Sequence, residues 1–165
     1  MMRALIRLSA DRAGAAAAEM ALVMPLLIIL MVSTFELGHY FLSEHVVQKS
    51  VRDAARYASR LPMNNYPGCS PTAAAQTQIQ KVARTGTPNG TVQRLQGWNN
   101  DTMTTVSVSC DTSGTYTGIY VDFPGGVPIV TVSAVVPYPS LFGVMGISNT
   151  SLVVTARSQS AVFGA

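Results

Sequence analysis

Gly14-Ala-Ala-Ala-Ala-Glu19-Met-Ala-Leu-Val-Met-Pro25-Leu-Leu-Ile-Ile-Leu-Met-Val-Ser-Thr-Phe35 is an apolar run with one acid near its start. From Ala15 to Phe35 it holds 21 residues. At roughly 1.5 Å per residue that length spans the roughly 30 Å hydrocarbon core of a bilayer. No other stretch of the chain is long and apolar enough to cross. Arg3, Arg7 and Arg12 precede the run with only Asp11 against them. Basic residues next to a span stay on the cytoplasmic side, so the N-terminus is expected to face inward and the remainder to be exported. A cleaved secretory signal is the competing reading. It needs a shorter apolar region and a small-x-small site, whereas this run is long and ends in Phe35-Glu36-Leu37-Gly38.

An acid inside a membrane segment costs on the order of 2.5 kcal/mol or more near the centre and is rare without a partner. Glu19 stands about one turn inside, so by itself it can reach the headgroups at little cost. Pro25 removes one backbone donor, which membrane helices tolerate with a bend. The bend either has no further role or helps packing against other subunits, and the sequence leaves both open.

Past Phe35 the pattern stays helical but turns amphipathic. Glu36, His39, Glu44, His45, Gln48, Lys49, Arg52, Asp53, Arg56 and Arg60 alternate with apolar positions at steps of three and four. One helix of about 45 residues, about 65 Å long, is expected to run from the apolar run to Leu61 and to stop at Pro62. Gly38, Ser43, Ser50, Ala54, Ala55, Ala58 and Ser59 are small enough to admit a second backbone. Packing against the chain's own C-terminal part is the simpler use for them.

The set of motifs resembles a known family. A basic leader, Gly14, four alanines, Glu19 and an unbroken apolar helix are similar to the processing site of type IV pilins and pseudopilins. The further stretches Glu36-Leu37-Gly38 and Arg52-Asp-Ala-Ala-Arg56-Tyr57-Ala58 resemble the TadE-like pseudopilins of tight-adherence (Flp, type IVb) pilus systems. The resemblance covers about a third of the chain. It implies cleavage between Gly14 and Ala15 by a prepilin peptidase, with Glu19 pairing to the cationic N-terminus of a neighbouring subunit. Such a pair in low dielectric offsets the desolvation of both charges and fixes helix register. The implied partners are the membrane, the peptidase, other pilin or pseudopilin subunits and an inner-membrane assembly platform. Met20 departs from the Tyr that major Flp pilins carry after the acid, and this chain is longer than they are. Both features point to a minor component. A contact between Glu36 and Arg52 would need a staggered neighbour, since the two are too far apart on one helix to pair.

Fold class follows from the remainder: α+β, with the long helix packed on a small antiparallel sheet and one short extra helix. The expected organisation is a leader over 1–14, a span over 15–35, an exported amphipathic continuation over 36–61 and a periplasmic domain over 62–165. Ser70-Pro71 is expected to open the extra helix as N-cap and first residue, with Gly86 closing it. Candidate strands are 91–96, 103–110, 119–123, 129–137 and 151–159. The apolar connection around Leu141, Phe142 and Met145 either caps the core, which is favoured, or forms an interface.

Cys69 and Cys110 are the only cysteines. In an oxidising periplasm such a pair is most simply a disulfide, closing a loop of about 40 residues. His39 and His45 fall on different helix faces, so no metal site or other cofactor is expected. Asp101, Asp111 and Asp122 lie in or beside turn-rich segments and are expected to be turn formers or solvated residues, not acid/base groups. No phosphate loop, Gly-x-Ser-x-Gly or ligand cluster suggests catalysis. The formal charge is +3. Without residues 1–14 eight basic residues face seven acidic ones, so charge gives no reason to expect a nucleic-acid partner. The alternative to a pilus component is an unprocessed, single-pass anchored binding module.

Overall fold

The computed structural model describes residues 12–121, 125–145 and 152–164. Helix α1, Arg12–Arg60, is followed by two short 3-10 turns, by helix α2, Ala73–Thr85, and then by strands β1, Thr104–Asp111, β2, Val127–Pro137, and β3, Val153–Ala161. The α+β class holds. The chain divides into two compact units, Met1–Gly38 and His39–Ala165.

In the first unit the helix continues through Pro25. The two hydroxyls among the described residues of this unit are satisfied internally: Ser33 Oγ donates to Ile29 O at 2.7 Å and Thr34 Oγ1 to Leu30 O at 2.8 Å. Such bonds to the carbonyl four residues back leave a hydroxyl with no need of water.

In the second unit the strands form one antiparallel sheet in the order β1-β2-β3. Register pairs Val106 with Val132 and Val132 with Ser158. Because side chains alternate across a strand, Val130, Val132, Ala134, Val136, Val154 and Ala156 share one buried face. That face, Val47, Val51, Ala54, Ala55 and Ala58 of α1, and Ile79, Val82 and Ala83 of α2 build the core together with Trp98 and Tyr66. Ser43, Ser50 and Ser59 of α1 are buried as well. The small residues of α1 therefore serve close packing within this unit. Gly38, by contrast, is exposed, and a Cβ there would meet nothing within 4 Å.

The C-terminal end of α1 is tied down by the end of the chain. Phe163 N and Gly164 N donate to Ser59 O at 2.9 and 3.2 Å, and Tyr66 Oη donates to Ala58 O at 2.6 Å. These bonds satisfy carbonyls that every helix leaves orphaned at its end. Gly164 sits directly against the Leu61 carbonyl, where a side chain would collide.

Several expectations are corrected. The extra helix starts at Ala73, capped by Thr72 and not by Ser70: Thr72 Oγ1 accepts from Ala75 N at 3.3 Å. Thr72 N is itself held by Asn65 O at 2.8 Å, which keeps Ser70 and Pro71 in the preceding turn. Gly86 closes the helix with φ of 92°, as a left-handed C-cap requires. Residues 91–96 form turns, not a strand. There Arg94 N bonds to Arg84 O at 2.8 Å, at the end of α2, while Leu95 and Trp98 are buried as anchors. Of the candidate strand 119–123, Ile119 and Tyr120 belong to a 3-10 turn, Gly118–Tyr120, pinned by a 2.6 Å bond from Tyr120 Oη to Val162 O. Phe123 lies outside the described residues. The other three strands stand within two residues of the expected bounds.

Candidate functional site

Eleven large apolar side chains between Met20 and Phe35 are exposed, from 45% at Val23 to 80% at Leu22. Each would gain roughly 1.5 kcal/mol or more on leaving water. A patch of this extent on a folded chain marks a membrane or a partner surface. The helix that carries it is long and apolar enough to cross a membrane. Gly14, Ala15 and Glu19 are exposed at its start, and a Cβ at Gly14 would meet nothing within 4 Å. The backbone of this stretch is helical, so Gly14 precedes Glu19 by rather more than one turn. Arg3, Arg7 and Asp11 lie outside the described residues.

Glu36 is half-buried sixteen residues before Arg52. Arg52 and Arg56 are exposed. Tyr57 is half-buried and donates to Gln78 Oε1 of α2 at 3.1 Å, so this aromatic residue joins the two helices. His39 Nδ1 is hydrogen-bonded to Tyr138 Oη at 3.1 Å, and Tyr40 meets the same Tyr138 ring edge-on at 5.2 Å. His45 is exposed six residues further along the helix.

The two cysteines do come together. Cys69 and Cys110 form a disulfide with Cα atoms 5.7 Å apart, joining the turn before α2 to the end of β1. Beside it, Asp111 is a turn former as expected. Ser113 donates to its carboxylate from Oγ at 2.6 Å and from N at 2.9 Å. These bonds, the hydroxyl first, hold the Asp111 carboxyl below its usual range. Asp101 is neither a turn former nor simply solvated. It caps nothing in the turn but pairs with Arg84 Nε of α2 at 2.6 Å. Asp122 lies outside the described residues. Leu141 is exposed and Phe142 half-buried, and neither is among the core residues. The favoured core-cap reading of this connection is not supported for these two residues.

One constellation gave no sign in the sequence. Arg94 Nη1 donates to Asp53 Oδ2 at 2.9 Å and to Ser50 Oγ at 3.3 Å, clamping the turns after α2 onto α1. A separation of 41 positions between Arg94 and Asp53 carries no periodic signal.

Nothing among curated proteins or solved structures matches the chain. Residues 14–56, which begin at the glycine before the apolar run and end on Arg56, match the family model of the TadE-like proteins, and over this quarter of its length the chain is similar to that family.

Proposed function

We propose that this protein is a minor pilin or pseudopilin that takes part in assembling a tight-adherence pilus. The single observation that carries the reading is that the TadE-like stretch opens at Gly14, the residue after which a prepilin peptidase would cut. Cleavage after Gly14 frees an ammonium at Ala15, and Glu19 stands one turn further in on the same helix. In a bilayer the ammonium of one subunit and the Glu19 carboxylate of the next compensate each other and set the stagger of packed helices. The exposed apolar helix supplies the membrane anchor before assembly and the packing surface after it. In this reading the N-terminus is cytoplasmic, the second unit is periplasmic, and the disulfide is at home in that oxidising compartment. The role is structural and interactive, not catalytic.

The test is the intact mass and N-terminal sequence of the protein from membranes of cells with and without a prepilin peptidase. A chain that starts at Ala15 only when the peptidase is present supports the proposal. A leader retained in both strains refutes processing and with it the pseudopilin role.

A further inference from the structure

The outward face of α1 in the second unit carries His45, Lys49, Arg52, Arg56 and Arg60, all exposed. Their steps of four, three, four and four residues place them on one stripe. Residues 15–165 are nearly neutral, yet half of their eight lysines and arginines stand on this stripe. Neighbouring like charges on a helix destabilise it, so the arrangement works against the fold. The helix C-terminus accounts for Arg60, which lies in the last turn, but not for Lys49 or Arg52.

Among the described residues no carboxylate forms an ion pair with the stripe. Both ion pairs among the described residues, Arg84 with Asp101 and Arg94 with Asp53, leave Lys49, Arg52, Arg56 and Arg60 out. Asp53 flanks the stripe but is taken by Arg94, and Glu44 is held by Gln48 at 3.0 Å. The surface is also concave. One hollow of about 390 Å³ is lined by His45, Gln48, Lys49, Arg52 and Arg56, a second of about 330 Å³ by Arg56, Tyr57 and Arg60, and the Arg94-paired Asp53 lines both.

We infer that this stripe is a docking surface for an acidic helix of a different protein. The spacing selects a helix: five positions over fifteen residue steps recur about every 5.6 Å along the axis, as carboxylates three and four residues apart do on a partner helix. An extended strand repeats on one face at about 6.7 Å and drifts out of register by the fourth site. Arginine forks match carboxylates with two parallel bonds, and the hollows admit side chains where a flat headgroup layer cannot enter. A second copy of this chain does not fit. Among the described carboxylates, Asp53 and Asp101 are ion-paired, Glu44 and Asp111 are held by neighbours, and Glu19 and Glu36 lie on different faces of the helix. The inference does not depend on processing after Gly14.

The test uses the full-length protein in zwitterionic detergent at low salt and two labelled, stapled helical peptides of equal composition. One carries four glutamates on a single face; the other spreads them around the helix. Fluorescence anisotropy is expected to show at least tenfold tighter binding of the one-face peptide. The R52E/R56E double variant should weaken that binding at least tenfold with an unchanged melting temperature, and R52K/R56K should recover most of it. Equal binding of the two peptides, no binding of either, or full binding by R52E/R56E overturns the inference. So does displacement of the one-face peptide by soluble short-chain phosphatidylglycerol at an equal concentration of charge, which would make the stripe a headgroup site.

Discussion

Tyr66 shows how much a single side chain carries in the second unit. It is fully buried, and its phenol donates to Ala58 O at the end of α1. Burial first, and the neighbouring Tyr57 second, push the Tyr66 phenol well above its ordinary 10.0. The folded state therefore keeps Tyr66 neutral where the unfolded chain ionises. This contribution to stability is fully present below about pH 10 and falls as pH rises beyond it. Tyr66→Phe is expected to cost about 1 kcal/mol at neutral pH through the lost hydrogen bond. The gap to the wild type should close as pH rises above 10, a trend that urea unfolding at pH 7 to 11 would reveal. A constant gap across that range would contradict the buried neutral phenol. A tyrosine after Asn-Asn in a Pro-flanked loop carries no sequence mark of such a role, because its acceptor is a backbone carbonyl that only the fold brings near. Asp111 is the opposite case: its short turn with Ser113 is local, and the sequence predicts it.

At the scale of elements, α1 changes solvent along its length. Its first part exposes apolar side chains, and its last part turns valines, alanines and serines toward the sheet and α2. Both halves were legible from periodicity, since the 3.6-residue repeat is a local property of the chain. The alternating strands were legible for the same reason. The segment 91–96 misled because its composition favours a strand while Arg94 ties its backbone to the end of α2. The disulfide joins two elements, across a separation of 41 residues. Replacing both cysteines by serine is expected to lower the unfolding free energy by roughly 4 kcal/mol by the chain-entropy estimate. A denaturant titration in which the double variant loses less than about 1 kcal/mol would show that the loop is already constrained without the bond.

For the molecule as a whole, the division after Gly38 separates an apolar helix from a unit with a core of its own. Among the described residues, the fully buried core falls between Val47 and Val162. A fragment comprising residues 39–165 is therefore expected to be soluble, monomeric and folded in non-reducing buffer, whereas the full chain should require detergent. Gel filtration and circular dichroism of the fragment decide it: an aggregated or unfolded fragment would mean that the first 38 residues contribute to the fold. The same division separates two kinds of surface, apolar in the first unit and a one-sided row of cations in the second.

The sequence by itself determined the long helix, its membrane-length apolar part, the α+β class, the glycine-to-acid spacing and the likeness to TadE-like proteins. Each is written in neighbouring residues or in a short repeat. Only the tertiary structure decided which carboxylates are already engaged, that Arg94 takes Asp53, that Phe163 and Gly164 close α1, and that the row from Lys49 to Arg60 keeps its charge on one outward face. Those facts depend on residues far apart in the chain meeting in space, and local pattern carries no record of such meetings.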